Sequence, residues 1–196
     1  MGTVIIDMTM SLDGFIAGPK DDDKPDRELG GLDILHDWRF GRQSSTETEA
    51  YEVEKFKPMG AGIVGRRMLD LGIGPWGENP TFHMPIFVLS HETRKPITKQ
   101  GGTTYYFVTA GIESALKQAE EVADGKDIMV LGGANAIQQF IRAGLLDELE
   151  IHLIPILLDG GIRLFDNLGA LKLEKTAAKD TPAVTHLRYK IAEKLK

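Results

Sequence analysis

The chain has 196 residues, of which 42% are hydrophobic, a formal net charge of −6 and no cysteine. That length and apolar content suit one compact α/β domain over residues 1–196 with a sizeable core. The acidic balance argues against a general nucleic-acid binder, and the lack of cysteine excludes disulfides, thiolate metal sites and cysteine nucleophiles. No basic leader precedes a long apolar stretch and no segment reaches membrane-spanning length, so a cytoplasmic protein with no metal site and no membrane partner is expected.

In chain order, Thr3 to Met10 (TVIIDMTM) reads as the first strand, rich in β-branched and apolar residues. Asp13-Gly14 is a turn signal, after which Phe15-Ile16-Ala17 resumes extended chain. From Pro19 to Gly31 the sequence is charged and rich in Gly and Pro, a loop of the length often used as a lid. Leu32 to Phe40 reads as a short helix with Leu32, Leu35 and Trp38 on one face. Thr46-Glu47-Thr48-Glu49 has capping-box form and opens a helix to about Lys57, ended by Pro58 and Gly60.

Ala61 to Val64 is a short strand, and Gly65-Arg66-Arg67-Met68-Leu69 turns into a helix. Ile86 to Leu89 and Tyr105 to Thr109 are further strands, and Ile112 to Ala123 is an amphipathic helix with Ala115, Leu116, Ala119 and Ala123 inward. Ile128 to Leu131 has the apolar run of a buried strand, followed by Gly132-Gly133 and a helix carrying Ala134, Ile137, Phe140 and Ile141 on one face. Leu149 to Leu158 reads as a long strand, in which Pro155 suggests an edge position or a bulge. Two more strands, near Leu171 to Ala178 and from Ala183 to Ala192, complete a mixed sheet with antiparallel strands at its C-terminal end.

Open α/β sheets bind ligands at their strand ends. Gly132-Gly133-Ala134-Asn135 is either a plain turn or an anion cradle, because glycines admit a phosphate close to the backbone at a helix N-terminus. Gly65-Arg66-Arg67 puts two guanidinium groups just after a strand, which suits phosphate. Ser90-His91 also follows a strand, and there a turn is the plainer reading. Taken together the three read as a groove for a polyphosphate ligand. The Rossmann G-x-G-x-x-G pattern is not met, and the Walker A loop is absent, which disfavours ATP hydrolysis. Glu150 starts its strand rather than ending it, so no carboxylate is placed for a ribose 2′-hydroxyl. The arginines point instead to a 2′-phosphate and hence to NADPH.

Four motifs in order then carry a resemblance: Ser11-Leu12-Asp13-Gly14-Phe15-Ile16-Ala17, Val64-Gly65-Arg66-Arg67, Val130-Leu131-Gly132-Gly133-Ala134-Asn135, and Asp147-Glu148-Leu149 leading to Pro155, Gly160-Gly161 and Leu164-Phe165. The chain resembles the dihydrofolate reductase superfamily, and within it the C-terminal reductase domain of riboflavin-biosynthesis deaminase-reductases. The resemblance implies a three-layer α/β/α fold with a mixed, mainly parallel sheet, and NADPH as hydride donor. It implies that Gly65, Arg66, Arg67, Ser90 and His91 hold the 2′-phosphate end, that Gly132, Gly133, Ala134 and Asn135 cradle the pyrophosphate, and that Ile16 and Ala17 lie by the nicotinamide.

The expected activity is reduction of a small heterocycle of pteridine or ribosylaminopyrimidine type. Dihydrofolate reduction proper and a non-catalytic NADP-binding module are the alternatives. Related reductase domains are commonly dimers, and the apolar strand Ile151 to Leu158 could face a second copy. There is no room for the zinc deaminase that often precedes such reductases. For a proton donor, Asp13, Asp33 and Asp37 are the candidates. Each has a plainer role: turn former for Asp13, helix-start residue for Asp33, solvated acid for Asp37.

Overall fold

A computed structural model describes residues 2–19, 32–40 and 54–194. In chain order its first elements are β1 (Val4–Ser11), β2 (Phe15–Ala17), α1 (Leu32–Phe40), β3 (Met59–Gly65), α2 (Arg66–Gly72), β4 (Pro85–Leu89), β5 (Ile97–Thr98) and β6 (Thr104–Val108). Then follow α3 (Gly111–Ala123), β7 (Asp127–Gly132), α4 (Ala134–Ala143), β8 (Glu148–Ile154), β9 (Ile162–Arg163), β10 (Leu171–Asp180) and β11 (Thr185–Lys194). The chain forms two compact units: Met1–Ile6 with Tyr51–Asp147, and Asp7–Ala50 with Glu148–Lys196. Strand β1 therefore contributes its first three residues to one unit and the rest to the other.

In the first unit the strand order is β1-β7-β3-β4-β6-β5. All neighbours are parallel except the short β5, which runs antiparallel to β6. Strands covered on both faces read as continuous apolar runs, and Ile5, Ile6, Ile63, Val64, Ile86, Val88, Ile128 and Val130 are all buried. The strand ends are tied by carboxylates. Thr3 N–H donates to Asp127 Oδ1 at 2.8 Å and Val4 N–H to Asp147 Oδ2 at 2.8 Å. Helix α3 turns Ile112, Ala115, Leu116, Ala119 and Ala123 inward, and α4 buries Ala134, Ala136, Ile137, Phe140 and Ile141. Helix α4 ends at Gly144 in the left-handed conformation, its N–H reaching the carbonyls of Ile141 and Phe140.

The second unit has the order β1-β8-β11-β10, with β11 antiparallel to both β8 and β10. A separate antiparallel pair joins β2 to β9. Side chains on strands alternate between faces. Leu149, Ile151 and Leu153 of β8 with Leu187 and Tyr189 of β11 therefore share one apolar face, while Glu150, His152, His186 and Arg188 lie on the other. Leu35 and Trp38 of α1 are buried against Ile154 and Val184.

This is a mixed α/β fold, with mainly parallel strands in one unit and antiparallel strands near the C-terminus. One expectation is corrected. Strand β8 stops at Ile154, so Pro155 lies beyond it, and β8 sits between β11 and β1 rather than at an edge. Proline has no N–H to give the ladder, and pairing ends where it enters. Of the expected loop from Pro19 to Gly31 only Pro19 lies within the described residues. Of the expected capping-box helix only residues 54–57 are described, of which 54–56 are helical and Lys57 is a turn. No helix among the described residues is long and apolar enough to cross a membrane.

At Gly60 an added Cβ would lie 2.5 Å from the Ala123 carbonyl oxygen. Backbone can yield little there, so Gly60→Ala is expected to lower the unfolding free energy by about 1–3 kcal/mol. Gly74→Ala, whose Cβ would meet nothing within 4 Å, is expected to stay within about 0.5 kcal/mol of the parent. Urea unfolding of the two variants checks the pair.

Candidate functional site

The parallel register of the first unit decides which strand ends stand together. Val64 pairs with Gly132 across β3 and β7, and Gly65 pairs with Leu89 across β3 and β4. The C-terminal ends of β7, β3 and β4 thus form one edge bearing Gly132-Gly133, Gly65-Arg66-Arg67 and Ser90-His91. A Cβ on Gly65 would sit 3.4 Å from Gly133 N and 3.5 Å from Gly132 O, so the two glycine turns touch. Gly132 has φ +118°, a conformation that favours glycine. A Cβ on Gly133 would meet nothing within 4 Å, which leaves the backbone open to a ligand pressed against it.

Helix α4 starts directly after Gly133 and no side chain caps it. Its first-turn N–H groups, those of Ala134 and Asn135 among them, have no acceptor within the helix. The Asn135 amide oxygen accepts from Gln139 at 2.6 Å. Arg66, half-buried, donates through Nε to Asp70 at 2.8 Å and lies 5.9 Å from the Phe107 ring centroid. Arg67 is exposed. Ser90 ties its own turn, its hydroxyl donating to the Glu92 carbonyl at 2.9 Å and accepting from the Glu92 N–H at 3.0 Å, and His91 is exposed. The Arg94 guanidinium, with a smaller contribution from Arg66, holds the Glu92 carboxyl below its usual range. A glycine cradle, an uncapped helix start and a neighbouring arginine pair fit a polyphosphate group.

In the second unit Ile16 and Ala17 are buried on β2. A Cβ at Gly161 would lie 2.0 Å from the Ala17 carbonyl oxygen, and Gly161 has φ +116°, so glycine is required where the chain passes β2. Asp13 is committed to this loop. Its carboxylate accepts the Ser11 hydroxyl at 2.6 Å and the N–H groups of Leu158 and Asp159 at 3.0 and 2.8 Å. The Ser11 hydrogen bond, followed by those backbone donors, holds its carboxyl below the ordinary value despite some desolvation. A carboxylate stabilised in its ionised form is a poor proton donor. Asp33 is exposed in the first turn of α1, and Asp37 is half-buried on the same helix.

A polar cluster that the sequence reading passed over lies on the other face of β8 and β11. Asp7 of β1 accepts Arg39 Nη2 at 2.9 Å through Oδ1 and meets His152 Nε2 at 3.0 Å through Oδ2. His152 Nδ1 then faces His186 Nδ1 at 2.7 Å. Trp38 packs on both imidazoles, with centroids 4.9 Å from His152 and 5.4 Å from His186. The signal available in sequence was a lone Asp inside an apolar strand and a lone His inside another; register alone sets His152 opposite His186.

Burial, then the neighbouring His152 and Lys179, pushes His186 down to about 4 from 6.5. With the folded value depressed, the unfolded chain takes the proton first. The His186 contribution to stability is therefore present above about pH 6.5 and lost as the pH falls toward about 4. His186→Gln is expected to flatten this part of the stability profile between pH 7 and pH 5, as read by urea midpoints at the two values.

Relatives include an uncharacterised protein, YyaP of Bacillus subtilis, 26% identical over 169 residues that cover 83% of this chain and 79% of that protein. Among solved structures, a candidate riboflavin biosynthesis protein of Shewanella sp. PV-4 superposes with a TM-score of 0.74 at 24% identity, over 98% of this chain and 100% of that one. The Enterococcus faecalis dihydrofolate reductase complexed with NADP(H) gives 0.62 at 14% identity, over 98% of each chain. These likenesses show a dihydrofolate reductase-like fold. The RibD C-terminal domain model matches residues 2–187, and the chain belongs to the RibD C-terminal domain family.

Proposed function

We propose that the chain is a cytoplasmic NADPH-dependent reductase acting on a small heterocycle of pteridine or ribosylaminopyrimidine type. The observation that carries this reading is the contact of Gly65 with Gly132-Gly133 at one sheet edge, in a chain of the RibD C-terminal domain family. When bound, the cofactor would supply the hydride. The chain's own residues would bind and orient. Gly132, Gly133 and the first-turn N–H groups at Ala134 and Asn135 would hold the pyrophosphate. Arg66 and Arg67, with Ser90 and His91, would hold the 2′-phosphate, and Ile16 and Ala17 would lie by the nicotinamide. In this reading residues 1–196 act as a single dihydrofolate reductase-like domain.

A homodimer is part of the same reading. Met10, Ile151, Leu153, Leu187 and Tyr189 line an apolar hollow on the second unit, rimmed by the exposed Phe165 and Leu173. Exposed contiguous apolar surface of this kind marks interfaces.

Oxidation of NADPH over a panel of pterins and ribosylaminopyrimidines tests the activity, and tight binding with no turnover on any of them would favour a binding module. Replacing Arg66 and Arg67 together by Ala is expected to weaken NADPH binding about 10- to 100-fold, the scale of one or two lost charged hydrogen bonds. NADH binding should change less than about threefold, and equal losses would remove the 2′-phosphate assignment. For assembly, light scattering should give twice the chain mass of 21.6 kDa. Leu173→Glu with Leu187→Glu should return it to the chain mass, and a parent already at that mass refutes the dimer.

A further inference from the structure

We propose that Asp7, His152 and His186 form a proton relay that delivers the proton completing the reduction. The proposal rests on the reductase reading above. Adding a hydride to the carbon of a C=N or C=O sends the π electrons to nitrogen or oxygen, and that atom must then take a proton.

The hydrogen-bond chain constrains where protons sit. A carboxylate only accepts, and Asp7 already receives Arg39 on Oδ1. His152 Nε2, 3.0 Å from Oδ2, therefore carries its hydrogen. That fixes the His152 ring, and its Nδ1 stands 2.7 Å from His186 Nδ1. Two nitrogens at that distance share one hydrogen. In the proton-poor state His186 donates Nδ1–H to His152. In the proton-rich state His152 donates to His186, whose Nε2 also carries hydrogen. Passage between the states moves one proton across the Nδ1 pair and one at His186 Nε2, while the His152 Nε2–H stays on Asp7. The same short separation leaves no room for a shared metal ion, whose ligands at about 2.0 Å each stand farther apart around a tetrahedral centre.

Burial gives the relay a direction. His152 is 0% exposed, whereas His186 is half-buried, so protons enter and leave at His186. The groups facing the pair are Asp7 on β1, Arg39 on α1, Lys179 across from His186 on β10, and Glu150 and Arg188 on the same strand face. A second proton on this pair meets Arg39 and Lys179, in keeping with the low value of His186.

Two further atoms mark where a ligand would sit. Thr9 Oγ1 and Trp38 Nε1 are buried without a hydrogen-bond partner among the described residues. Thr9 follows Asp7 by two residues on the same face of β1, about 7 Å along the strand, and the Trp38 indole touches both imidazoles. Buried polar groups are costly unless partnered. A flat heterocycle presenting a carbonyl or ring nitrogen to Trp38 Nε1 and a polar edge to Thr9 would complete both, beside His186. In the step itself, His186 Nε2–H passes to the substrate nitrogen or oxygen. The shared hydrogen moves from His152 Nδ1 to His186 Nδ1, and solvent restores the pair.

The test uses the full-length protein with nitrogen-15 histidine, titrated from pH 4 to 9 by NMR, beside steady-state kinetics. The relay predicts that His152 and His186 ring nitrogens respond together to a single proton, and that His186→Gln abolishes the linked response of His152. Separate titrations of the two rings, or an unchanged His152 response in the variant, overturn it. With a turned-over substrate, His186→Ala should lower kcat about 100-fold or more with NADPH affinity within about twofold. It should also lose the alkaline fall of kcat and recover rate with added imidazole. A kcat within about threefold of the parent, with the parent's pH profile, overturns the catalytic role. A parent that reduces nothing in the panel refutes the reductase reading and with it the delivery step, and the NMR arm then decides separately whether the histidines share a proton.

Discussion

A carboxylate buried inside an apolar strand must be neutralised where it stands, and Asp7 is such a group, its side chain 3% exposed. Arg39 and His152 take one oxygen each. The pair with Arg39 is itself nearly buried, so its attraction is weakly screened and its desolvation is correspondingly costly. Much of the second unit follows from that demand. Arg39 ties α1 to β1, His152 ties β8 to β1, and His186 follows because β11 pairs with β8 in a register that sets the two histidines opposite each other. Trp38 then covers the rings that this pairing creates, with the Arg39 guanidinium 4.8 Å from its own ring centroid. Groups held so tightly cost stability when one member is lost, which makes them expensive as mere packing and suited to holding a proton in a defined place.

The first unit is built on backbone rather than charge. Its strands are short, parallel and buried, and their ends are closed by Asp127 and Asp147 on the N–H groups of Thr3 and Val4. At the opposite ends the demand is reversed. There the backbone must be left bare, and Gly65, Gly132 and Gly133 do so by omitting side chains where two turns touch. An anion can approach such an edge because a Cβ at Gly133 would meet nothing within 4 Å among the described residues, next to the N–H groups that start α4. The arginines beside it are not idle in its absence, since Arg66 rests on Asp70. Exposed pairs of this kind contribute little to stability, so Arg66 can exchange its partner for a phosphate at small cost.

Strand β1 contributes residues to both units. Val4 to Ile6 are apolar and belong with the parallel strands; Asp7, Thr9 and Ser11 bring polar atoms into the second unit on alternate positions. Ser11 closes the following turn through Asp13 and Phe15. One strand of eight residues therefore changes from core to chemistry halfway along its length.

Local pattern was enough for the elements that bury an obvious face. The apolar runs of β1, β3, β4 and β7 and the amphipathic stripe of α3 were legible because hydrophobic periodicity is a local property. The glycine and arginine turns were legible for the same reason, since a residue without a side chain, or with a forked cation, has few uses at a strand end. The strand through Pro155 to Leu158 was misread as an edge or bulged strand, because whether a proline ends pairing depends on neighbours that no local pattern names. The Asp7–His152–His186 chain was not legible at all. Its members are 145 and 34 positions apart, and each alone is an ordinary polar residue in a strand. Sequence by itself determined most of the strands and helices and the glycine and arginine turns at the strand ends, because propensity and alternation act over a few residues. Tertiary structure alone decided which polar groups meet, because that depends on strand order and register between distant segments.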